Sequence, residues 1–159
     1  MKKFIISIDA GTTSNRSILF DLKGKPVFSS QKEFTQYFPK SGWVEHNPDE
    51  IWKTTIKTLK DVIKKAKKLK GKILSIGITN QRETTVLWDK KTGKPVYKAI
   101  VWQDRRTEEF CKKLRKQNKD TMVFNKTGLL IDSYFSGTKI KWILDNVPKA
   151  RQLMSKKQL

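Results

Sequence analysis

A short polar segment between two apolar runs contains the first residues that could do chemistry. The run KFIISID ends at Asp9, and the strand-like run RSILFD resumes at Arg16. The residues between them are small or carry hydroxyls, and they include Gly11, Thr12, Thr13 and Ser14. Backbone N–H groups and hydroxyls in such a turn can bind phosphate oxygens, while the acid holds Mg²⁺ through water and Arg16 meets an anion. An ordinary hairpin turn has the same composition, so the segment alone leaves both interpretations open.

Arg82 and Glu83 form the second candidate. They follow the apolar run KILSIGIT closely, at the carboxyl end of a predicted strand, where open α/β sheets bind ligands. A guanidinium donor fork beside a carboxylate acceptor suits the hydroxyls of a polyol. A surface ion pair would explain the two residues equally well.

Three aromatic residues form the third candidate: Trp102, Tyr134 and Phe135. They could line the pocket of a small substrate. Packing in a hydrophobic core is the competing interpretation, since most aromatic side chains serve that purpose.

Strands and one long helix must position the first two candidates. The first 34 residues predict a three-stranded antiparallel meander, with turns after Asp9 and around Gly24. Asn47 and Pro48 predict the start of a helix that ends at Gly71. Its apolar stripe is predicted from spacings of three and four: Trp52, Ile56, Leu59, Ile63 and Ala66. Residues 72–79 then predict a strand that is buried on both faces and joined through the helix by a parallel crossover.

The rest of the chain predicts a hairpin and two further helices. Residues 86–89 and 96–102 are expected to pair around a turn at 92–95. A helix is expected over about 104–116, and another from about Thr138 to Pro148. The apolar side of the latter is predicted to comprise Ile140, Ile143, Leu144 and Val147. The chain has 159 residues, enough for one domain, and 36% hydrophobic residues, enough to bury a core.

The net charge of +20 is concentrated in two segments. Residues 51–75 carry nine basic and one acidic group, and residues 111–159 carry twelve and three. Most of the basic residues are lysines, whereas arginine is the better reader of phosphates and bases. The pattern therefore favours lysine-rich solvated faces over nucleic-acid binding.

Cysteine and histidine usage excludes several classes of site. Cys111 and His46 are the only residues of their types, so a disulfide framework, a zinc-finger cluster and catalysis by two histidines are excluded. The N-terminal apolar run is too short for a signal peptide, and no stretch is long enough to span a membrane. A cytoplasmic protein is expected.

Five segments together resemble a known family. They are IDAGTTSNRSILFD, GWVEHNPDEIW, SIGITNQRETTVLWD, AIVWQDRRT and TGLLIDSYFSGTKIKWILDN, in this order. They resemble the amino-terminal part of the FGGY carbohydrate kinases, and GITNQRET resembles the members that phosphorylate glycerol. The resemblance implies an α/β, ribonuclease H-like (actin-like ATPase) domain: a mixed sheet with flanking helices.

The resemblance also implies roles for matched positions. Cofactor contacts to ATP and Mg²⁺ are implied for one acid, the phosphate-binding turn and one arginine: Asp9, Gly11, Thr12, Thr13, Ser14 and Arg16. Asp9 is the position associated with the metal. Contacts to glycerol are implied for Arg82, Glu83, Trp102 and Tyr134. The implied reaction is transfer of the γ-phosphoryl group of MgATP to glycerol, with ATP and ADP as further partners.

The family's catalytic aspartate and adenine-binding residues have no counterpart within residues 1–159. The resemblance therefore implies a truncated amino-terminal domain without the second domain, and no catalytic base in this chain. The isolated chain is expected to be inactive or nearly so. Two alternatives stay open: a non-catalytic nucleotide- or polyol-binding protein, which could pair with a separately encoded second half, and a basic nucleic-acid-binding domain.

Overall fold

The computed structural model describes residues 1–159, which form two compact units. Unit 1 comprises Met1–Gln36 and Asn47–Gln81, and unit 2 comprises Tyr37–His46 and Arg82–Leu159. Each unit has its own cluster of buried apolar side chains. None of the helices combines the length and the apolar character that crossing a bilayer requires.

The strands and helices alternate only in the middle of the chain. The strands are β1 (Lys2–Ala10), β2 (Ser14–Asp21), β3 (Pro26–Glu33), β4 (Gln36–Tyr37), β5 (Glu45–His46), β6 (Gly71–Asn80) and β7 (Ala99–Ile100). The helices are α1 (Pro48–Lys68), α2 (Glu108–Lys116), α3 (Asp120–Thr127), α4 (Ser136–Asn146) and α5 (Pro148–Ser155).

Unit 1 is a four-stranded sheet with one helix packed on it. The strand order is β3-β2-β1-β6, with β1 antiparallel to β2 and parallel to β6. The predicted meander and the parallel crossover are therefore confirmed. The helix α1 covers one face of the sheet, where side chains of β1, β2 and α1 form the core: Phe4, Ile6, Ile8, Leu19, Val62 and Ala66.

The start of α1 follows the prediction, and so does most of its apolar stripe, since Leu59, Ile63 and Ala66 pack in the core. One member of the stripe and the end of the helix do not. The side chain of Asn47 accepts a hydrogen bond from the Asp49 N–H at 3.0 Å, which caps the helix. The buried line runs through Thr58, Val62 and Ala66, so the predicted inclusion of Trp52 was wrong: its side chain is 65% exposed. The helix ends at Lys68, before the predicted Gly71, and Lys70 adopts a left-handed conformation in the turn that follows.

The prediction that residues 72–79 are buried on both faces was also wrong. The strand β6 lies at the edge of the sheet, with β1 as its only neighbour. Three of its four large apolar side chains are exposed: Leu74 by 47%, Ile76 by 47% and Ile78 by 74%. The apolar run predicted the strand correctly, but at the edge of the sheet only Ile73 packs against the core, and both faces are exposed from Leu74 onward.

Unit 2 has little regular strand. Its sheet has the order β4-β5-β7, and each strand is two residues long. The predicted hairpin is reduced to isolated bridges between Thr85 and Ile100 and between Trp88 and Pro95. The helix predicted from residue 104 begins later, at Glu108, since the Asp104 carboxylate binds the Val44 N–H at 2.7 Å and the N–H of the second residue after it. The helices α3 and α5 were not predicted.

A buried ion network stabilises unit 2 where strands are short. The side chain of Arg106 is fully buried and lies 2.8 Å from carboxylate oxygens of both Asp104 and Glu45. Its guanidinium stacks on the ring of Trp43, 3.8 Å from the centroid, and lies 4.6 Å from that of Trp142. Buried charges need such pairing, because an unpaired charge in the interior is costly.

Candidate functional site

The hairpin of unit 1 brings the predicted acid and arginine onto one face of the sheet. Asp9 on β1 is directly opposite Arg16 on β2, and residues paired in this way project from the same face. That face is opposite α1, because the neighbouring residues Ile8 and Asn15 point toward the helix. The side chains of Asp9 and Arg16 are both exposed and form no ion pair with each other.

The carbonyl oxygens of the turn are already bound by the protein. The Gly11 oxygen accepts from Gln81 Nε2 at 3.3 Å, and the Thr12 oxygen accepts from Gln36 Nε2 at 3.2 Å. The Thr13 oxygen accepts from the N–H of Phe34 at 3.3 Å. Since carbonyl oxygens repel phosphate oxygens, their engagement elsewhere makes the turn better suited to an anion.

Side chains of β2 anchor the turn from both faces. Asn15 is buried and its amide donates to the Ile51 carbonyl at 2.9 Å and to Thr54 Oγ1 at 2.6 Å, both on α1. On the other face, Gln31 donates to Ser14 Oγ at 2.8 Å and accepts from Arg16 Nε at 3.0 Å. The positions of the hydroxyl and the guanidinium are thus fixed by one glutamine on β3.

Glycine at position 11 leaves room where a larger residue would crowd the turn. A Cβ added there would lie 3.0 Å from the Ser14 carbonyl oxygen and 3.9 Å from Asp9 Oδ1. The Gly11 N–H donates to that same carbonyl at 3.0 Å. The turn is therefore tight, and its backbone is accessible beside the carboxylate.

The structure contains no group of three or more His, Cys, Asp or Glu residues that could hold a metal ion. An all-protein metal cage is thus excluded for residues 1–159. The single exposed carboxylate of Asp9 fits a different kind of site, in which Mg²⁺ keeps most of its waters and binds one or two carboxylates together with phosphate oxygens.

In unit 2, Glu83 is held in an unusual backbone conformation. Its φ of 62° lies in the left-handed region that non-glycine residues rarely adopt. One oxygen of its carboxylate, Oε2, accepts from the Ser136 N–H at 2.8 Å and from Ser136 Oγ at 2.7 Å, at the start of α4. The adjacent Arg82 is exposed. The pair is therefore not a surface ion pair between the two side chains, which was the competing interpretation.

A buried lysine connects Glu83 to one of the predicted aromatic residues. The Lys139 ammonium donates to the backbone carbonyls of Glu83, at 3.2 Å, and of Tyr134. Burial lowers the pKa of Lys139 from 10.5 to about 8, although Glu83, Asp104 and Asp132 oppose that shift. The lysine is completely inaccessible to solvent.

The aromatic candidates lie together in unit 2. The rings of Trp102 and Tyr134 meet edge to face at 5.9 Å, and those of Tyr134 and Phe135 at 5.1 Å. All three side chains are partly exposed, so they are not sealed in a core. The Asp132 carboxylate accepts from the Tyr134 N–H at 2.7 Å and fixes the start of this segment.

Each predicted set is thus assembled within its own unit. Unit 1 contains the turn with Asp9 and Arg16, and unit 2 contains Arg82 with Glu83 and the aromatic residues. Sequence reasoning missed Ser136 and Lys139. A signal existed for the lysine: it lies four residues before the buried Ile143, on the apolar side of α4, while the predicted Ile140 is 37% exposed.

The class of protein is shown by comparison with known sequences. Residues 4–158 match the FGGY family of carbohydrate kinases, N-terminal domain. The match covers nearly the whole chain, and the chain belongs to this family.

Two curated relatives of the chain are both glycerol kinases. The chain is 61% identical over 151 residues to a glycerol kinase of Oceanobacillus iheyensis, covering 95% of this chain and 30% of that protein. It is 58% identical over 158 residues to a glycerol kinase of Malacoplasma penetrans, covering 99% of this chain and 31% of that protein. The chain therefore spans about a third of the length of the curated relatives that it matches.

Solved structures agree on the fold. A Plasmodium falciparum glycerol kinase with ADP superposes with a TM-score of 0.93 at 36% identity, covering 99% of this chain and 31% of that one. A gluconate kinase from Lactobacillus acidophilus superposes with a TM-score of 0.85 at 22% identity, covering 96% and 30%, and shows the fold alone. The predicted α/β fold of the actin-like ATPases, with a mixed sheet and flanking helices, is confirmed.

Proposed function

We propose that this chain supplies the phosphate-binding turn and most of the glycerol contacts of an ATP-dependent glycerol kinase. The observation that carries the substrate assignment is a group of side chains in unit 2, called here the polyol half-site: Arg82, Glu83, Trp102 and Tyr134. The backbone carbonyls of Glu83 and Tyr134 both accept hydrogen bonds from the buried Lys139. The curated relatives named above, which are glycerol kinases at about 60% identity, support the same substrate.

The half-site of unit 2 has the chemistry that a small polyol needs. The free lone pairs of the Glu83 carboxylate can accept from hydroxyl groups, and the exposed guanidinium of Arg82 can donate to them. Trp102 and Tyr134 would contact the carbon chain with their ring faces and edges. The alcohol is thereby oriented by both hydrogen bonds and shape.

The half-site of unit 1 has the chemistry that the phosphate donor needs. The backbone and hydroxyls from Gly11 to Ser14 would bind phosphate oxygens of ATP, and Arg16 would stabilise the charge on the transferred group. Asp9 would hold Mg²⁺ through its water ligands. Bound there, the ion would neutralise charge on the phosphate oxygens. Phosphoryl transfer depends mainly on such positioning and charge stabilisation.

We further propose that residues 1–159 do not complete the catalytic machinery. The base that accepts the proton of the substrate hydroxyl, and the residues that bind adenine, would be supplied by a second domain. Without them the donor and acceptor are neither aligned nor shielded from water, so the isolated chain should turn over glycerol at least about a thousandfold more slowly than a complete enzyme.

A chimera tests this function. The matched 151-residue segment of the Oceanobacillus iheyensis glycerol kinase is replaced by the corresponding segment of this chain, and ADP release is measured with glycerol, xylulose and gluconate. We expect glycerol-dependent turnover within about tenfold of the parent enzyme, because residues of the site act as a unit that the exchange preserves. Neither of the other substrates should support comparable turnover.

The chimera with Asp9→Asn is the matched control, since it removes one charge and keeps the shape of the side chain. It should retain the circular dichroism of the parent chimera and lose at least about a hundredfold in kcat. A folded chimera that consumes no ATP with glycerol would contradict the proposed function. Salt-sensitive binding of the 159-residue chain to DNA or RNA would favour the nucleic-acid alternative instead.

A further inference from the structure

We propose that Lys139 and Ser136 are positioning residues that hold Glu83 in the conformation in which it contacts a polyol. The proposal rests on the function proposed above for Glu83. Neither residue needs to touch the substrate itself, because both act on Glu83 directly, one on its main chain and one on its carboxylate.

The main chain at Glu83 needs such support. A left-handed φ of 62° is sterically unfavourable for a residue with a Cβ, so it persists only where the surroundings impose it. Glu83 follows directly on Arg82, and the conformation therefore sets the directions of both side chains. If the backbone relaxed to an ordinary conformation, the donor and the acceptor for the polyol would both move.

Lys139 supports the main chain at Glu83 through a hydrogen bond from the protein interior. Its buried ammonium donates to the Glu83 carbonyl and to the Tyr134 carbonyl, so one charged group fixes two of the predicted polyol contacts. Hydrogen bonds from a charged donor are stronger than those between neutral groups. A lysine that is fully buried with backbone carbonyls as its hydrogen-bond acceptors stabilises little by itself, since its desolvation is costly. We therefore infer that the role of Lys139 is to hold the main chain at Glu83 and Tyr134.

Ser136 fixes the carboxylate. Its N–H and its hydroxyl both donate to Glu83 Oε2, at 2.8 Å and 2.7 Å, and leave the other oxygen, Oε1, for a ligand. The preceding residue, Phe135, has no side-chain acceptor for the first N–H groups of α4. Glu83 therefore caps α4 from 53 positions earlier in the chain, and α4 in turn holds the carboxylate in one rotamer.

The first test uses the 159-residue chain and NMR. In Lys139→Met, the Glu83 amide should lose the strong intraresidue HN–Hα contact and the coupling that mark a positive φ. Lys141→Met is the matched control: Lys141 lies on the same helix, is exposed and pairs with Asp145. It should leave the Glu83 signals unchanged. A Lys139→Met chain that is folded and keeps the positive-φ signature at Glu83 would overturn the proposal.

The second test uses the chimera described above and separates positioning from mere stability. We expect Lys139→Met to raise the glycerol KM by about tenfold to a hundredfold, while the ATP KM changes little, because only the polyol contacts are displaced. If Lys139→Met lowered the melting temperature and left the glycerol KM unchanged, the role of the lysine would be structural only. Lys141→Met should match the parent chimera in all three quantities.

Ser136→Ala provides an independent variant that deletes a single hydroxyl and should fold. We expect it to raise the glycerol KM by about threefold to tenfold, because one of the two hydrogen bonds to Oε2 is lost and the one from the Ser136 N–H remains. Ser155→Ala, which removes an exposed hydroxyl at the end of α5, is its control. An unchanged glycerol KM in Ser136→Ala would contradict its part in the proposal. A parent chimera without glycerol turnover would contradict the proposed function, whereas the NMR signature of Glu83 would still decide whether Lys139 sets its backbone.

Discussion

The two units hold their candidate residues by different physical means. In unit 1, long strands with continuous hydrogen bonding set the register that brings Asp9 opposite Arg16. In unit 2, strands are two residues long, and buried charged side chains take over: Arg106 between Asp104 and Glu45, and Lys139 beneath Glu83. The first arrangement depends on backbone pairing, and the second on a few side chains.

This difference predicts where each unit is sensitive to substitution. A backbone ladder distributes its stabilisation over many residues, so an exposed side chain in unit 1 can change without altering the sheet. In a buried ion network the stabilisation depends on a few side chains, because removing one of them leaves the others charged and unpaired. Loss of function in unit 1 should therefore arise mainly from lost chemistry, and in unit 2 mainly from lost positioning.

The largest expected effect is that of Arg106→Met in unit 2. The substitution leaves the buried carboxylates of Asp104 and Glu45 without their partner, which should lower the free energy of unfolding by about 3–5 kcal/mol. Chemical denaturation followed by tryptophan fluorescence measures the change. Arg105→Met is the matched control, since that side chain is 61% exposed and pairs with Asp132 at 3.5 Å; it should cost less than about 1 kcal/mol. Equal effects of the two variants would mean that the network does not stabilise unit 2.

Arg16→Met in unit 1 should act on catalysis and leave stability nearly unchanged. In the chimera we expect kcat to fall by about a hundredfold to a thousandfold, because charge on the transferred group loses its stabilising partner. Arg82→Met, at the polyol half-site, should instead raise the glycerol KM. The same pattern of effects on kcat and KM in both variants would contradict the proposal that unit 1 binds the phosphate donor and unit 2 binds the polyol.

Gly71→Ala tests the sheet of unit 1. A Cβ at position 71 would overlap the ring of Phe4, which belongs to the core, and the required shift should cost about 1–3 kcal/mol. Gly77→Ala on the same strand is the control, since no atom lies within 4 Å of its added Cβ. Thermal denaturation should show a lower midpoint for Gly71→Ala only. A similar midpoint for both would contradict the packing described for β6 against β1.

The smallest effect concerns the pH dependence that Lys139 contributes. Its pKa is about 8 when folded and 10.5 ordinarily, so above pH 8 the unfolded chain binds a proton that the folded chain has released. Stability should therefore rise with pH in this window, by on the order of 1 kcal/mol between pH 7.5 and pH 9. Denaturation at both values should show this gain in the parent chain and in Lys141→Met, and not in Lys139→Met. A Lys139 ε-carbon resonance that titrates near 10.5 would contradict the prediction.

Local sequence patterns predicted unit 1 well because its contacts are regular. Alternating apolar residues in β1, the Asn47 cap and the turn after Asp9 are all signals that extend over a few neighbouring residues. The errors concern neighbours in space: nothing in residues 72–79 indicates that β6 has only one adjacent strand, and nothing near Trp52 indicates that the sheet does not reach it.

Unit 2 was predicted less well for the same reason. Its structure depends on partners far apart in the chain, such as Glu45 with Arg106 and Glu83 with Ser136. Periodicity cannot pair such residues, so the expected hairpin shrank to two bridges, and α3 and α5 were missed. Residue types and positions made Arg82, Glu83, Trp102 and Tyr134 candidates, and resemblance to the family added glycerol as the implied ligand. The side chains that support them became visible only in the structure.

The most direct test of the division between the units is an NMR titration of the 159-residue chain with each ligand separately. Glycerol should shift the signals of Glu83, Tyr134 and the Trp102 indole, and MgADP should shift the amides from Gly11 to Ser14. Shifts by both ligands in the same unit, or by glycerol in the turn after Asp9, would contradict the account.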